Sequence, residues 1–413
     1  MTAEVMPSKE GVPGRPSEAA TADSMAWTLL LFAAATHFLV DATAGTLNPI
    51  WPRIPADFQL NAWQSAGMLF LWQMATSISQ LFFGIWGDRM NTRWLLWVGP
   101  LVAIVCLSSV GLTRSPVVLA GLLTVSGLAI AGFHPEGAAL AGSCTVVHRS
   151  RAMSIFTVGG FIGQALGPVY SGQLVHWLGL GGLIWGIPIG LTLALLLLPL
   201  GRAARVRSPR RSGPTIPLHL ALRGRVSTML LILVVGSLRI IAASGVPVLV
   251  GFLLKARGAD TADIGIVQSA FMIGIGLGGL ACATVFQPRH ERPILWICPL
   301  LVAPVILATP WSGGLLLSAL VCLSGLLLGT SLPVLVSIGQ QLMPESQRVA
   351  SSITMGVSWG IGGAAVSLVL MACETLGRYE PAFVVFAVAT TLSSLLCVRL
   401  PRTRQAPSEN PHG

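Results

Sequence analysis

Residues 84–93, GIWGDRMNTR, form a short polar stretch between two long apolar runs. The run before it covers 63–86, the run after it covers 94–112, and neither contains Asp, Glu, Lys or Arg. A helix needs about 20 apolar residues to cross about 30 Å of hydrocarbon, and both runs are of that length. The stretch is therefore predicted to be a tight loop between two membrane-spanning helices.

The same alternation of apolar runs and short polar breaks continues along the chain. The 413 residues are 53% hydrophobic and only 10% charged, whereas about a quarter of the residues of a soluble protein are charged. Spanning length is reached by the runs at 26–50, 63–86, 94–112, 116–141, 152–178, 181–200, 227–253, 263–286, 293–310, 313–338, 349–376 and 380–400. We therefore predict an all-α membrane protein with twelve transmembrane helices.

An Arg- and Pro-rich segment separates the sixth run from the seventh, and a repeat relates the two sides. The pattern Arg-x7-Gly-x3-Gly starts at Arg151 and again at Arg348. Such repeats are typical of transporters with a central site between two related halves, so we predict two pseudo-symmetric six-helix bundles. The predicted domains are a disordered cytoplasmic tail at 1–25, an N-terminal bundle at 26–200, a cytoplasmic linker at 201–226, a C-terminal bundle at 227–400 and a cytoplasmic tail at 401–413.

The basic residues are spread over many short loops and are unequally divided between the two predicted membrane faces. Of the 25 Lys and Arg residues, nineteen fall on the face that holds the termini and the linker and five on the other. This bias predicts cytoplasmic termini, and its spread argues against nucleic-acid binding despite the net charge of +10. The seven cysteines show no CxxC pair or metal-ligand spacing, so no metal or cofactor is predicted.

Three charged residues lie well inside the predicted spans: Asp41, Glu136 and Arg239. Charge inside a membrane is costly, so each such residue needs a partner or a watery cavity and marks a candidate site. His37 precedes Asp41 by four residues and shares its helix face. This spacing indicates a protonatable pair in the transport pathway, and a purely structural hydrogen-bond cluster is the alternative.

Arg239 is the candidate contact for an anionic substrate. The two copies of the repeat are 197 residues apart, which places Asp41 level with Arg239, so the two could face each other across a central cavity. A guanidinium binds carboxylate or phosphate bidentately. The alternative is a permanent salt bridge to Asp41, and a bridge that opens when Asp41 is protonated would combine the two.

His134 and Glu136 lie near the inner end of the fourth span, on either side of Pro135. Both side chains could carry protons. Alternatively, Glu136 could pair with Arg149 or Arg151 at the membrane surface and gate that end of the pathway.

Aromatic and small residues complete the candidate site. Trp72 and Trp359 lie near the middle of their spans and could line a substrate cavity. Gly163 and Gly167 belong to a ladder of glycines that favours close helix packing, and Pro168 supplies a point for bending. Packing alone is the simpler interpretation of the glycines.

The polar stretch quoted first resembles the loop motif of the major facilitator superfamily, Gly-x-Leu-Ala-Asp-Arg-x-Gly-Arg-Lys. Gly84, Asp88, Arg89 and Arg93 match it, and Asn91 replaces its second glycine. The resemblance implies twelve helices, transport by alternating access, and a role for Asp88 and the neighbouring arginines in stabilising the outward-facing state.

Within that superfamily, the chain resembles the fosmidomycin-resistance type of efflux protein. His37 and Asp41 match the family's His-x3-Asp on the first helix, residues 133–136 match its Phe-His-Pro-Glu, and residues 154–168 resemble its Ser-Ile-Phe to Leu-Gly-Pro segment. The resemblance implies proton-coupled efflux of a small anionic or amphiphilic compound from a bacterial-type inner membrane.

Other functions stay open at this point. An importer or uniporter for an organic anion would use the same fold, and a non-transporting sensor or assembly factor could also be built on it. An enzyme is not expected, because no acid or histidine cluster with the spacing of a catalytic metal motif occurs in the sequence. The expected partners are a small-molecule substrate, protons and the lipid bilayer, and the protein is expected to be monomeric.

Overall fold

Twelve long helices make up the protein in a computed structural model, which describes residues 26–144, 149–207, 222–284, 290–343, 350 and 352–400. They are α1 (Trp27–Gly45), α2 (62–89), α3 (Leu95–Ser108), α4 (Pro116–Gly142), α5 (Arg149–Leu178), α6 (186–207), α7 (Val226–Ala256), α8 (Thr261–Thr284), α9 (Glu291–Ala308), α10 (Gly314–Leu342), α11 (352–376) and α12 (Glu380–Leu396). The predicted tails and residues 208–221 of the predicted linker lie outside the described residues.

The prediction of twelve transmembrane helices is confirmed. Eleven helices in the described ranges are long and apolar enough to cross a membrane, and the shorter apolar helix Leu180–Leu196 supplies the sixth crossing. The sixth helix then continues to Arg207, past its predicted end at 200. The first helix ends at Gly45 rather than at 50, and residues 51–57 form two short turns of helix.

Helices are the expected solution here because hydrocarbon offers no partner to a free backbone N–H or C=O. Side chains cap the starts of α2 and α4. Asn61 accepts a hydrogen bond from the backbone of Gln64, whose side chain accepts one from the Asn61 backbone, so a capping box begins α2. Ser115 caps α4 in a similar way, with Pro116 at its first position.

The helices form two bundles, α1–α6 and α7–α12, which meet along two seams. One seam joins α2 to α11, and the other joins α5 to α8. We call the end of the molecule where α6 finishes and α7 begins the linker end, and the opposite end the distal end. The charge distribution predicts that the linker end is cytoplasmic.

Two irregular segments lie on the seam between α2 and α11. Met74–Ile78 of α2 and Ser352–Val357 of α11 are both π-helical. They touch, because a Cβ on Gly356 would lie 3.1 Å from the Ser77 carbonyl oxygen. π-Helical turns insert one extra residue into a helix and are frequent at functional sites.

A glycine ladder holds α5 against α1 within the N-terminal bundle. A Cβ on Gly159, Gly163 or Gly167 would overlap a backbone carbonyl oxygen of α1. The two backbones therefore pack with no side chain between them, as the predicted packing role of the glycines requires.

We predict that Gly163→Ala destabilises the protein, because the new methyl group would overlap the Phe38 carbonyl oxygen. Overpacking of this kind costs about 1–3 kcal/mol, which thermal unfolding of the purified protein would detect. Gly121→Ala is the matched control, since a Cβ at Gly121 meets nothing within 4 Å. Equal unfolding temperatures of the two variants would contradict the tight seam.

Candidate functional site

The site is built around the carboxylate of Asp41, which is buried with 5% exposure. His37 lies one turn earlier on α1, and its Nε2 is 3.3 Å from Asp41 Oδ2. His134 approaches from α4, with its Nε2 3.3 Å from Asp41 Oδ1. Gln164 of α5 donates a hydrogen bond from Nε2 to Oδ2 over 3.1 Å. Three helices therefore converge on one carboxylate, and we call His37, Asp41 and His134 the His–Asp–His cluster.

The orientation of both imidazole rings is fixed by backbone carbonyls. His37 Nδ1 is 2.8 Å from the Phe156 carbonyl oxygen, and His134 Nδ1 is 2.8 Å from that of Ile130. The ring of Phe156 also stacks on His37, with centroids 4.0 Å apart and planes 15° apart. Each ring consequently presents Nε2, and only Nε2, to Asp41.

Gly160 of α5 makes room for the cluster. A Cβ at this position would lie 2.5 Å from His37 Cε1 and 2.7 Å from Asp41 Oδ2. The glycine ladder thus has two functions in this structure, since its other members pack α5 on α1 while Gly160 admits the imidazole and the carboxylate.

Hydrogen counting favours a proton on at least one Nε2 atom of the cluster. A carbonyl oxygen only accepts hydrogen bonds, so both Nδ1 atoms must carry hydrogen. A neutral ring then has a lone pair on Nε2, and a lone pair facing a carboxylate oxygen is unfavourable. One proton satisfies one of the two Nε2–Asp41 contacts, and a second proton satisfies both.

The same three side chains have the spacing of a metal site. One potential ligand atom from each lies within 4.8 Å of the others, although the sequence predicts no metal. Two imidazoles and a carboxylate could surround a divalent ion as well as protons. Any test of proton binding therefore needs a metal-free arm.

Arg239 does not face Asp41, and both predicted arrangements of that pair are wrong for this conformation. The guanidinium is fully buried within the C-terminal bundle, where it donates to Ser393 Oγ at 2.8 Å and to Cys397 Sγ at 2.9 Å. It also donates to the carbonyl oxygens of Ser331 and Leu295. The repeat fixes the depth of Arg239 in the membrane but not the direction of its side chain. Because the Arg239 side chain is 0% exposed, it cannot contact a substrate in this conformation.

Glu136 contacts the loop between α2 and α3. Thr92 donates its hydroxyl hydrogen to Glu136 Oε1, and both residues are buried. The side chains of Arg149 and Arg151, its predicted partners, lie outside the described residues. A contact between α4 and this loop is nevertheless what an inner gate would use, and that role stays a prediction.

The structure describes the surroundings of only some of the other predicted site residues. Gly84 lies at the seam between the bundles, where its Cβ would be 3.4 Å from Ser352 Oγ of α11. The side chains of Asp88 and Arg89 lie outside the described residues. Trp72 is buried in the hydrophobic core, and Trp359 is a partly buried residue that packs against this core. Their place in a substrate cavity stays a prediction. So does the conformational role of Arg93, Gly163, Gly167 and Pro168.

Two polar residues that link the bundles at the distal end were missed by the sequence analysis. Glu374 lies within the predicted eleventh span, and its Oε1 accepts a hydrogen bond from Ser65 of α2 at 3.1 Å. Gln268 of α8 donates to the Asn48 carbonyl oxygen at 3.0 Å. An acid inside an apolar run was the available signal for Glu374, and its position only two residues from the end of the run concealed it.

This fold defines a polytopic membrane protein with a buried ionisable cluster between its helices. The family model "Major Facilitator Superfamily" matches residues 33–367. The chain belongs to the major facilitator superfamily, and that membership indicates a transporter rather than an enzyme.

Individual relatives agree with this assignment. The chain is similar to the fosmidomycin resistance protein of Escherichia coli (strain K12), with 24% identity over 335 residues that cover 79% of this chain and 82% of the relative. Its fold is similar to that of the nucleoside transporter NupG, with a TM-score of 0.68, 11% identity and coverage of 90% and 99%. A bacterial homologue of the human lysosomal transporter Spinster, inward-facing and occupied, gives a TM-score of 0.66 at 16% identity with coverage of 92% and 98%.

The separation of Arg239 from Asp41 predicts additive effects on stability. Arg239→Gln should lower the free energy of unfolding by about 1–3 kcal/mol, because it leaves several buried acceptors without a donor. Combining it with Asp41→Asn should give the sum of the two single effects within about 0.5 kcal/mol, as for residues without shared contacts. Thermal or denaturant unfolding in detergent measures the free energy of unfolding of each variant. A double-variant effect that differs strongly from the sum would support a direct contact between Asp41 and Arg239.

Proposed function

We propose that this protein is a proton-coupled secondary transporter that exports a small anionic or amphiphilic compound by alternating access. The observation that carries the proposal is the His–Asp–His cluster, in which two imidazole Nε2 atoms face one buried carboxylate. The cluster can exchange one proton while it keeps another, as a proton carrier requires.

Proton access is uneven across the cluster. The His134 side chain is 24% exposed, whereas those of His37 and Asp41 are 8% and 7% exposed. Water can therefore reach the cluster at His134, and a proton taken up there has Asp41 as its next acceptor. His37 lies behind the carboxylate, where it stabilises the ionised form of Asp41 when protonated.

Proton exchange can reach the second bundle through α5. The cluster contacts α5 through the Phe156 carbonyl oxygen and through Gln164. Between these two residues, Phe161 faces α8, where Cβ atoms on Gly276 and Gly279 would lie 3.3 and 3.4 Å from its side chain. A change in charge at Asp41 would therefore shift the helix that forms one of the two seams.

Export and the class of substrate rest on similarity rather than on a binding site. The named relative is a fosmidomycin resistance protein, and resistance by a membrane transporter is most simply explained by export. The bias of basic residues supports a bacterial-type inner membrane with both termini in the cytoplasm. We expect the monomer to be the transporting unit.

Transport by inverted membrane vesicles tests the proposal, with fosmidomycin as the first compound. Uptake should require an imposed proton gradient and should release protons from acidified vesicles. Asp41→Asn should abolish the gradient-driven component, because the amide can neither hold a proton nor lose one, while exchange without a gradient continues. A chelator throughout the assay separates proton effects from metal binding.

Asp57→Asn is the matched control, since Asp57 pairs with Arg53 at 3.1 Å in a partly exposed position outside the long helices. It should transport like the unmodified protein. Full gradient-driven transport by Asp41→Asn with an unchanged pH profile would remove the cluster from the mechanism. Accumulation of substrate in the opposite direction would favour the importer of an organic anion, and no transport of any tested anion would favour a sensor or assembly factor.

A further inference from the structure

Glu374 is a second buried acid, well away from the His–Asp–His cluster and shared between the bundles. It lies near the distal end of α11, where Oε1 accepts the hydrogen bond from Ser65 of α2. Its Oε2 is buried and has no hydrogen-bond partner among the described residues. The carboxyl group therefore sits at a seam that must open and close in alternating access, with half of its hydrogen-bonding capacity unused.

Within the part of the chain that the structure describes, no cation pairs with the Glu374 carboxylate. The titratable neighbours that interact with it are Cys373 and Tyr379, and Tyr379 packs its ring against Phe252 of α7. The nearest arginine along the chain, Arg378, is 3.7 Å from Glu380 instead. Among the described residues, Glu374 thus has one neutral donor and apolar or weakly acidic neighbours.

Burial under these conditions favours the protonated acid over the carboxylate. A buried charge with one neutral hydrogen bond loses most of its hydration, whereas a neutral carboxyl group loses far less. Separation of α2 from α11 would expose Glu374 to water and remove that bias. Closure of the distal end and protonation of Glu374 are therefore linked, and closure is favoured at low pH and weakened as the pH rises.

We propose that Glu374 is a second proton-binding site, which holds the distal ends of α2 and α11 together when protonated and favours their separation when ionised. The inference rests on the proposed alternating access, but it concerns the gate rather than the driving proton. With the distal end predicted to face outward, external acid would favour closure after substrate release. In a proton-driven exporter, this is the step in which the proton-loaded protein returns to the inward-facing state.

A second titratable contact joins the bundles at the same end and must be told apart from Glu374. His176 Nδ1 of α5 is 3.0 Å from Asp260 Oδ2, just before α8. Both side chains are more than two-fifths exposed, so water solvates them in the closed state as well. This pair can weaken or strengthen with pH, but it lacks the burial that links a proton to closure.

Hydrogen–deuterium exchange of the purified full-length protein in lipid nanodiscs tests the proposal without substrate or gradient. Peptides that contain Ser65 and Glu374 should take up more deuterium as the pH rises through about pH 5 to 8, after correction for the intrinsic exchange rate. The opening equilibrium should change about tenfold for each unit by which the pKa of an acid differs between the closed and open states. Glu374→Gln should remain protected at every pH, because the amide imitates the neutral acid.

Four further variants make the result specific. Ser65→Ala should increase opening at high pH more than at low pH, since it removes the one hydrogen bond that stabilises the carboxylate in the closed state. Glu380→Gln and His176→Gln should keep the unmodified pH dependence. Asp41→Asn should keep it too, so loss of proton-coupled transport and loss of the gate response are separate outcomes.

The proposal is overturned if the unmodified protein shows no pH-dependent exchange at these peptides, or if Glu374→Gln retains that dependence. It is also overturned if His176→Gln alone abolishes the response, because the exposed pair would then be the sensor. Should Glu374→Gln fail to fold, Ser65→Ala still decides, since an increase in exchange that is equal at low and high pH, or no increase at all, contradicts an ionisable buried carboxyl group at this seam.

Discussion

The close packing of α5 on α1 is the contact on which the rest of the structure depends. Because glycines let the two backbones touch, the Phe156 carbonyl oxygen reaches His37 and Gln164 reaches Asp41. A bulkier residue at Gly160 would separate the carboxylate from its imidazoles. α5 also forms the seam with α8, so one helix both shapes the site and contacts the second bundle.

The α2–α11 seam differs from the α5–α8 seam in the geometry of its helices. Where α5 meets α8 the helices are regular, but where α2 meets α11 each helix contains a π-helical turn. Such turns leave backbone hydrogen bonds that are more easily rearranged. The polar contact between Ser65 and Glu374 lies at the distal end of this same seam. The α2–α11 seam therefore combines two π-helical turns with a partly buried polar contact, whereas the helices of the α5–α8 seam are regular.

The sequence was sufficient for the fold and for part of the site. Apolar runs report membrane crossings directly, since hydrocarbon thickness sets their length, and the i, i+4 spacing correctly placed His37 beside Asp41. Periodicity does not report which neighbouring helix faces a given side chain. His134 was therefore assigned to the inner end beside Glu136, although it completes the cluster, and Arg239 was assigned to Asp41 on depth alone.

The buried charges are distributed asymmetrically between two bundles of similar architecture. Arg239 is permanently charged, and its described partners are hydroxyl, thiol and carbonyl groups, so it gives the C-terminal bundle a fixed positive centre. Asp41 and its two imidazoles give the N-terminal bundle a charge that varies with proton number. Only the variable charge can respond to a proton gradient, since an equilibrium shifts only through a group that differs between its states. The halves therefore share a fold but differ in their buried charges, with a fixed one at Arg239 in the C-terminal bundle and titratable ones in the N-terminal cluster and, by our proposal, at Glu374 on the seam between the bundles.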